Sequence, residues 1–313
     1  MSTRLLITAD LHYNHGKSKP IADDLIEQMN RAGGDAVLVV GDTGIGDGDA
    51  LEQCLSLFKG FGQKLVVAGN HELWTRGEGA RTIPTPEPGG RDSLYLLEHE
   101  LPARVRAVGW TWLEGHPTEV GGLTVVGSMG WYDYSFAQPG LCIPKRFYAA
   151  KVSPGAAARL SEFAALFDKV DPDDPEQARA SDVNEHALQI VARWNDGRHV
   201  KLPQGFTDET LLDRLLHRLD SDLQSVAPSR PILAAVHHLP FRELLPPPHS
   251  AQWDFVKAYL GSEKIGQLLL RYPNVTRVFC GHSHLPAQVR MGSMDVVNIG
   301  SGYRWKTFHT LDV

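Results

Sequence analysis

Five short blocks of this 313-residue chain carry side chains that bind metals or move protons. They are Asp10-Leu11-His12, Gly41-Asp42, Gly69-Asn70-His71-Glu72, His237-His238 and Gly281-His282-Ser283-His284. Asp10 and His12 are two residues apart, as are His282 and His284, so each pair can point to one side of an extended segment. Imidazole, carboxylate and amide oxygen together suit borderline ions such as Mn²⁺, Fe and Zn²⁺. Thiolates would select softer metals, and Cys54, Cys142 and Cys280 lie outside the blocks. The blocks offer seven ligands, where a tetrahedral site takes about four. Seven is a natural number for two sites that share a bridging carboxylate.

The blocks follow apolar runs. Leu5 to Thr8, Ala36 to Val40, Leu65 to Ala68, Leu123 to Val126, Ile232 to Val236 and Val275 to Cys280 read as strands buried on both faces. Helical patterns at Ile21 to Met29 and Ala50 to Phe58 lie between them, which predicts βαβ units. Open α/β sheets bind ligands beyond the carboxyl ends of their strands, so five strand ends would deliver the polar blocks into one crevice. Gly41, Gly69 and Gly281 would permit tight departures from the strands. Residues 139–229 differ: strand signals vanish and helical patterns take over. The clearest is Asp208 to Val226, with leucine at 211, 215, 219 and 223. The expectation is one domain over 1–313, with a helical insertion at 139–229 as a possible cap. Asp171 to Pro175 reads as a turn, Ser181 or Asp182 as a helix cap, and Thr82 to Arg91 as a surface loop.

In order, the five blocks match the motifs of the calcineurin-like metallophosphoesterase superfamily, which this sequence resembles from residue 10 to 284. The resemblance implies an α/β fold, a four-layer α/β/β/α sandwich. It also implies two divalent ions, Mn²⁺ the expected one and Fe or Zn²⁺ the alternatives. Asp10, His12 and His284 would bind one ion, Asn70, His237 and His282 the other, and Asp42 both. A hydroxide between the ions would attack phosphorus, and His71 would contact the phosphate and protonate the leaving oxygen. Asn70 and His71 are thus the substrate-binding residues. A cationic His71 would want a carboxylate partner. Phosphoprotein phosphatases of the superfamily carry an Asp three positions after the bridging Asp; here Ile45 stands there, and Asp47 and Asp49 are the nearest candidates. The arginine those phosphatases carry after the Gly-Asn-His block is also missing, which leans toward small-molecule phosphomonoesters or phosphodiesters.

Composition narrows the field. With 42% hydrophobic and 22% charged residues the chain is ordinary for a globular protein. Its net charge of −6 disfavours general nucleic-acid or anionic-membrane binding. No segment reads as a signal peptide or a membrane span, and sparse cysteines fit a reducing cytoplasm. A nuclease of the same superfamily is the rival enzyme, but it wants a basic groove, and the insertion is slightly acidic. A non-catalytic scaffold is the rival of another class; such relatives usually lack a ligand or the catalytic histidine. Single residues have plainer readings. His238 reads as a core or supporting histidine, His15 as a solvated loop residue, and Gly127 to Tyr134 as pocket lining or a packed corner. Asn298 to Ser301 reads as the end of a last strand near the site, and the Gly33-Gly34 and Gly44-Ile45-Gly46 segments as turns.

Overall fold

The structure, a computed structural model, describes residues 2–75, 91–168 and 183–313. The Asp171–Pro175 turn, the Ser181 or Asp182 cap and the 82–91 loop short of Arg91 lie outside the described residues.

Two sheets carry the fold. In the first, β1 (Arg4–Thr8), β2 (Ala36–Val40), β3 (Gln63–Val67) and β4 (Thr111–Trp112) run parallel, and β11 (Phe308–Asp312) closes the edge antiparallel to β1. In the second, β6 (Leu123–Ser128), β7 (Ile232–Val236), β8 (Val275–Cys280) and β10 (Met294–Asn298) are parallel, flanked by antiparallel β5 (Thr118–Val120) and β9 (Ala287–Met291). Side chains alternate across each strand, and the alternation sorts the core into two layers. Leu5, Ile7, Ala36, Leu38, Val40, Leu65, Val67, Leu123, Val125, Leu233 and Ala235 meet between the sheets. Leu6, Val37, Val39, Val66, Ile232, Ala234 and Val236 face outward into the helical layers. That is a four-layer α/β/β/α sandwich. Because both faces of each central strand are dry, its apolar run is continuous.

The helix Lys19–Ala32 covers the first sheet with Ala22, Leu25, Ile26 and Met29, three or four residues apart on one face. The Ala50 pattern ends early, at Leu55. The segment 139–229 is helical in short pieces: Lys145–Ala149, Pro154–Ala157, Glu185–Gln189, Asp196–His199 and Asp208–Ser225. Among its described residues the only β pairing is the bridge between Val152 and Arg193. The last and longest of these helices buries Leu211, Leu215, Leu219 and Leu223 in the main core and contacts β6. It therefore stands in the crossover from β6 to the parallel β7, as a covering layer of the sandwich.

Candidate metal centre

The ends of β1, β2, β7 and β8, with the turn after β3, converge as the strand-end rule requires. Asp10, His12, Asp42 and His284 present ligand atoms within 4.8 Å of one another, and so do Asp42, His237 and His282. Asp42 is common to both groups. Its Oδ2 lies 3.4 Å from His237 Nε2, 3.7 Å from His12 Nε2 and 3.9 Å from His71 Nε2. His284 Nε2 is 3.5 Å from Asp10 Oδ1 and 3.0 Å from His12 Nε2.

The backbone is bent to achieve this. Of the eight non-glycine residues with positive φ among those described, five are Asp10, His12, Asp42, His282 and His284. The left-handed region is sparsely used by residues with a Cβ, though Asp and His tolerate it better than most. Two of the flanking glycines serve a purpose other than the one expected from sequence. Gly41 has φ +79, but Gly69 is extended at φ −112. A Cβ on Gly69 would stand 2.2 Å from Asp42 Oδ1, and one on Gly281 would stand 2.4 Å from Asp10 Oδ2. Their role is room for a carboxylate.

The donor set fits cations. His237 Nδ1 donates to Val40 O at 3.0 Å and His282 Nε2 to Tyr259 O at 3.1 Å, which leaves the other nitrogen of each ring for a metal. Asn70 Oδ1 and His237 Nε2 are buried with no hydrogen-bond partner, a state that buried polar atoms rarely keep without a ligand. Burial and the neighbouring rings hold His12 and His282 well below the ordinary histidine pKa. Burial would raise Asp42, but His71, His237 and His12 around it hold its carboxyl well below the usual range. His237 is the exception: burial would lower it, yet the adjacent Asp42 carboxylate lifts it to about 9. A cation between the two would compete with that proton, since metal binding displaces protons from its ligands.

His71 lies beside the cluster, its ring stacked on Trp74 at 3.7 Å between centroids. Burial pushes its pKa down, and Asp42 and Asp196 pull against that. The carboxylates expected beside it are engaged elsewhere. Asp47 pairs with Arg91 at 2.6 Å and Asp49 accepts from Gln53 at 2.7 Å. Asp196, from the insertion, takes Asn70 Nδ2 at 2.8 Å and Trp74 Nε1 at 2.7 Å.

Glu72, which the motif alone leaves without a role, accepts from the backbone N–H of Asp42, Gly44 and Gly69 at 3.0, 2.8 and 2.7 Å. It ties the end of β2 to the turn after β3. Its signal was available, because a buried Glu one residue beyond a histidine of the site needs donors. Tyr303 gave no such signal: its ring stacks on His12 at 4.3 Å and meets His284 edge-on at 5.1 Å. His238 is buried with Nδ1 on Met129 O at 3.0 Å, and belongs to neither ligand group. His15 is exposed, tilted against Tyr303. Trp131 and Tyr132 are fully buried, so that segment is a packed corner, although Tyr134 also lines a cleft of about 630 Å³ with Lys151, Asp196 and Phe206. None of the three cysteines enters either ligand group, and Cys54 and Cys280 are buried.

The family model of the calcineurin-like phosphoesterases matches residues 3–136, a span that holds Asp10, His12, Asp42, Asn70 and His71. The first part of the chain thus matches that family, and the two-sheet fold is of the same type. His237, His282 and His284 lie beyond the matched span. The chain is also similar in structure to phosphopantetheinyl hydrolase from Mycobacterium tuberculosis, at 20% identity and a TM-score of 0.63, over 97% of this chain and 90% of that one. It is similar to TT1561 of Thermus thermophilus at 10% identity and a TM-score of 0.50, over 100% and 99% of the two chains. No curated protein matches it in sequence. No helix among the described residues is long and apolar enough to cross a membrane.

Proposed function

We propose that this chain hydrolyses small phosphate mono- or diesters at a centre of two divalent ions. The observation that carries the reading is Asp42, the one carboxylate common to two ligand groups that otherwise share no residue. Asp10, His12 and His284 would hold one ion, and Asn70 Oδ1, His237 and His282 the other. When bound, such ions supply a water of lowered pKa and neutralise the phosphoryl oxygens. The chain's own residues supply the rest. Asp42 would bring negative charge to both ions and Asp10 to one. The carbonyls of Val40 and Tyr259 fix the His237 and His282 rings so that one nitrogen of each faces the cluster. His71, whose Nε2 lies 3.9 Å from Asp42 Oδ2 with a tenth of its side chain exposed, would donate a proton to the leaving oxygen. Trp194 and His199 of the insertion reach the site through His282 and Trp74, so the insertion walls the substrate face.

Mn²⁺ is the ion to add first, and a phosphopantetheinyl ester joins generic aryl mono- and diesters as the first substrates. The test is to titrate Mn²⁺ into Asp42→Asn and Asn70→Ala. Removing the shared charge should weaken both sites and abolish turnover, whereas removing the neutral amide should empty one site preferentially. Two tight sites in Asp42→Asn would overturn the assignment.

A further inference from the structure

We infer that Asp196, carried by the insertion, is the positioning residue that aligns both the metal ligand Asn70 and the proton donor His71; this rests on the phosphoesterase reading above. Asp196 is 1% exposed. Oδ1 accepts from Asn70 Nδ2 at 2.8 Å and Trp74 Nε1 at 2.7 Å, and Oδ2 from Trp194 Nε1 at 2.7 Å and Tyr132 OH at 3.0 Å. An ionised carboxylate has about four lone-pair sites and no donor, and here four donors converge on it. The four come from separate parts of the chain: the turn after β3, the corner after β6 and the insertion itself.

Two consequences follow for the site. The first concerns the amide of Asn70. A carboxylate only accepts, so it holds the NH₂ end of Asn70 and leaves Oδ1 as the free end of the amide, buried without a partner. A flipped amide would set oxygen against oxygen. Asp196 thus decides which end of Asn70 a cation meets. The second concerns His71. Its ring lies on Trp74, the Trp74 indole is fixed by its N–H to Asp196, and His199 stacks on Trp74 at 4.7 Å. Moving the carboxylate frees the indole, and the indole sets the plane of the His71 ring.

The two branches separate by mutation. Asp196→Asn keeps the volume but presents an NH₂ to one pair of donors. It should weaken Mn²⁺ about 10- to 100-fold at the Asn70 site, the range for losing a group that orients a ligand, and leave the Asp10–His12–His284 site intact. kcat should fall with little change in KM. Trp74→Phe keeps a stacked ring and deletes only the N–H. It should retain both ions and lower kcat about 10-fold or more, since small misplacements of a catalytic group are expensive. Sites are counted by Mn²⁺ paramagnetic resonance, and folding is checked by circular dichroism and thermal melting.

A folded Asp196→Asn with two wild-type Mn²⁺ sites and unchanged kcat would overturn the inference. If Asp196→Asn does not fold, Trp74→Phe decides: unchanged kcat sinks the inference and a drop with both ions held supports it. Failure of this inference is distinct from failure of the phosphoesterase reading. In the first case the wild type binds two Mn²⁺ and turns over esters while the variants match it. In the second the wild type itself binds no ion, and both fall.

Discussion

Gly69→Ala should loosen both ion sites at once, although residue 69 has no side chain with which to touch an ion. An ideal Cβ at this position stands 2.2 Å from Asp42 Oδ1 and 2.5 Å from the Asp42 backbone nitrogen. Real Cβ atoms essentially never come closer than 3.0 Å to such a neighbour, so Oδ1 must retreat by at least 0.8 Å, the difference between those two distances. Oδ1 accepts from His71 N at 3.0 Å and Oδ2 faces the histidines, so the retreat must swing the whole carboxylate, whereas metal–ligand distances tolerate about 0.2 Å. The main chain cannot easily absorb it, because one oxygen of Glu72 holds both Gly69 N and Asp42 N. Asp42 belongs to both ligand groups, so both affinities should fall, about 10- to 100-fold if the displacement acts as other losses of ligand support do. Gly281→Ala is the matched control. Its Cβ would stand 2.4 Å from Asp10 Oδ2, and Asp10 belongs to one group only, so one site should weaken. The assay is a Mn²⁺ titration read by paramagnetic resonance, with a thermal melt to show that each variant is folded. A folded Gly69→Ala with two wild-type sites, or with the same single loss as Gly281→Ala, would refute the reasoning.

Three further outcomes follow from the same geometry. His71→Ala should lower kcat by roughly 10²–10⁴, the range of general acid–base catalysis, with both ions retained; loss of an ion on metal analysis would show that His71 is a ligand. Glu72→Gln turns an NH₂ toward at least one of the three backbone N–H groups its carboxylate now accepts, and should cost about 1–3 kcal/mol in a urea titration. An unchanged midpoint would mean those bonds are dispensable. Leu38→Ala, fully buried between the two sheets, should cost about 2–5 kcal/mol and leave metal stoichiometry unaltered; a smaller loss would imply that the sandwich collapses around the gap.

Much of this centre was legible because strand ends speak locally. The β2 and β7 runs, Ala36–Val40 and Ile232–Val236, match the strands residue for residue, and the polar residue that follows each is where the chain leaves the sheet. The edge strands β5, β9 and β11 were missed for the opposite reason. Ala287-Gln288-Val289-Arg290-Met291 alternates and is half exposed, so it carries neither a continuous apolar run nor a turn of known type. The helix at 208–225 was read correctly as a helix, but periodicity says nothing of what it packs on; only the crossover between β6 and β7 reveals that it covers a sheet. Asp196 and Tyr303 were out of reach altogether. Asp196 is 126 residues from Asn70 in the chain, and its short flanking sequence looks like any helix start. At His71 the carboxylate within 4 Å of the ring is Asp42 itself, at 3.9 Å, and the link to Asp196 runs through Trp74.

The left-handed turns under Asp10, His12, Asp42, His282 and His284 carry a consequence for how such a protein can change. Non-glycine residues in that region cost of order 1–3 kcal/mol each, so five of them together hold roughly 5 kcal/mol or more. That is comparable with the net stability of an ordinary domain, about 5–15 kcal/mol. Glycine would sit in each of these turns without strain. A search for sturdier variants guided by melting temperature alone would therefore drift toward glycine at the ligand positions and be rewarded for erasing the centre. Selection for robustness and selection for chemistry pull on the same five residues in opposite directions, and a stabilisation programme for this chain would have to hold those positions fixed and seek its gains in the sandwich.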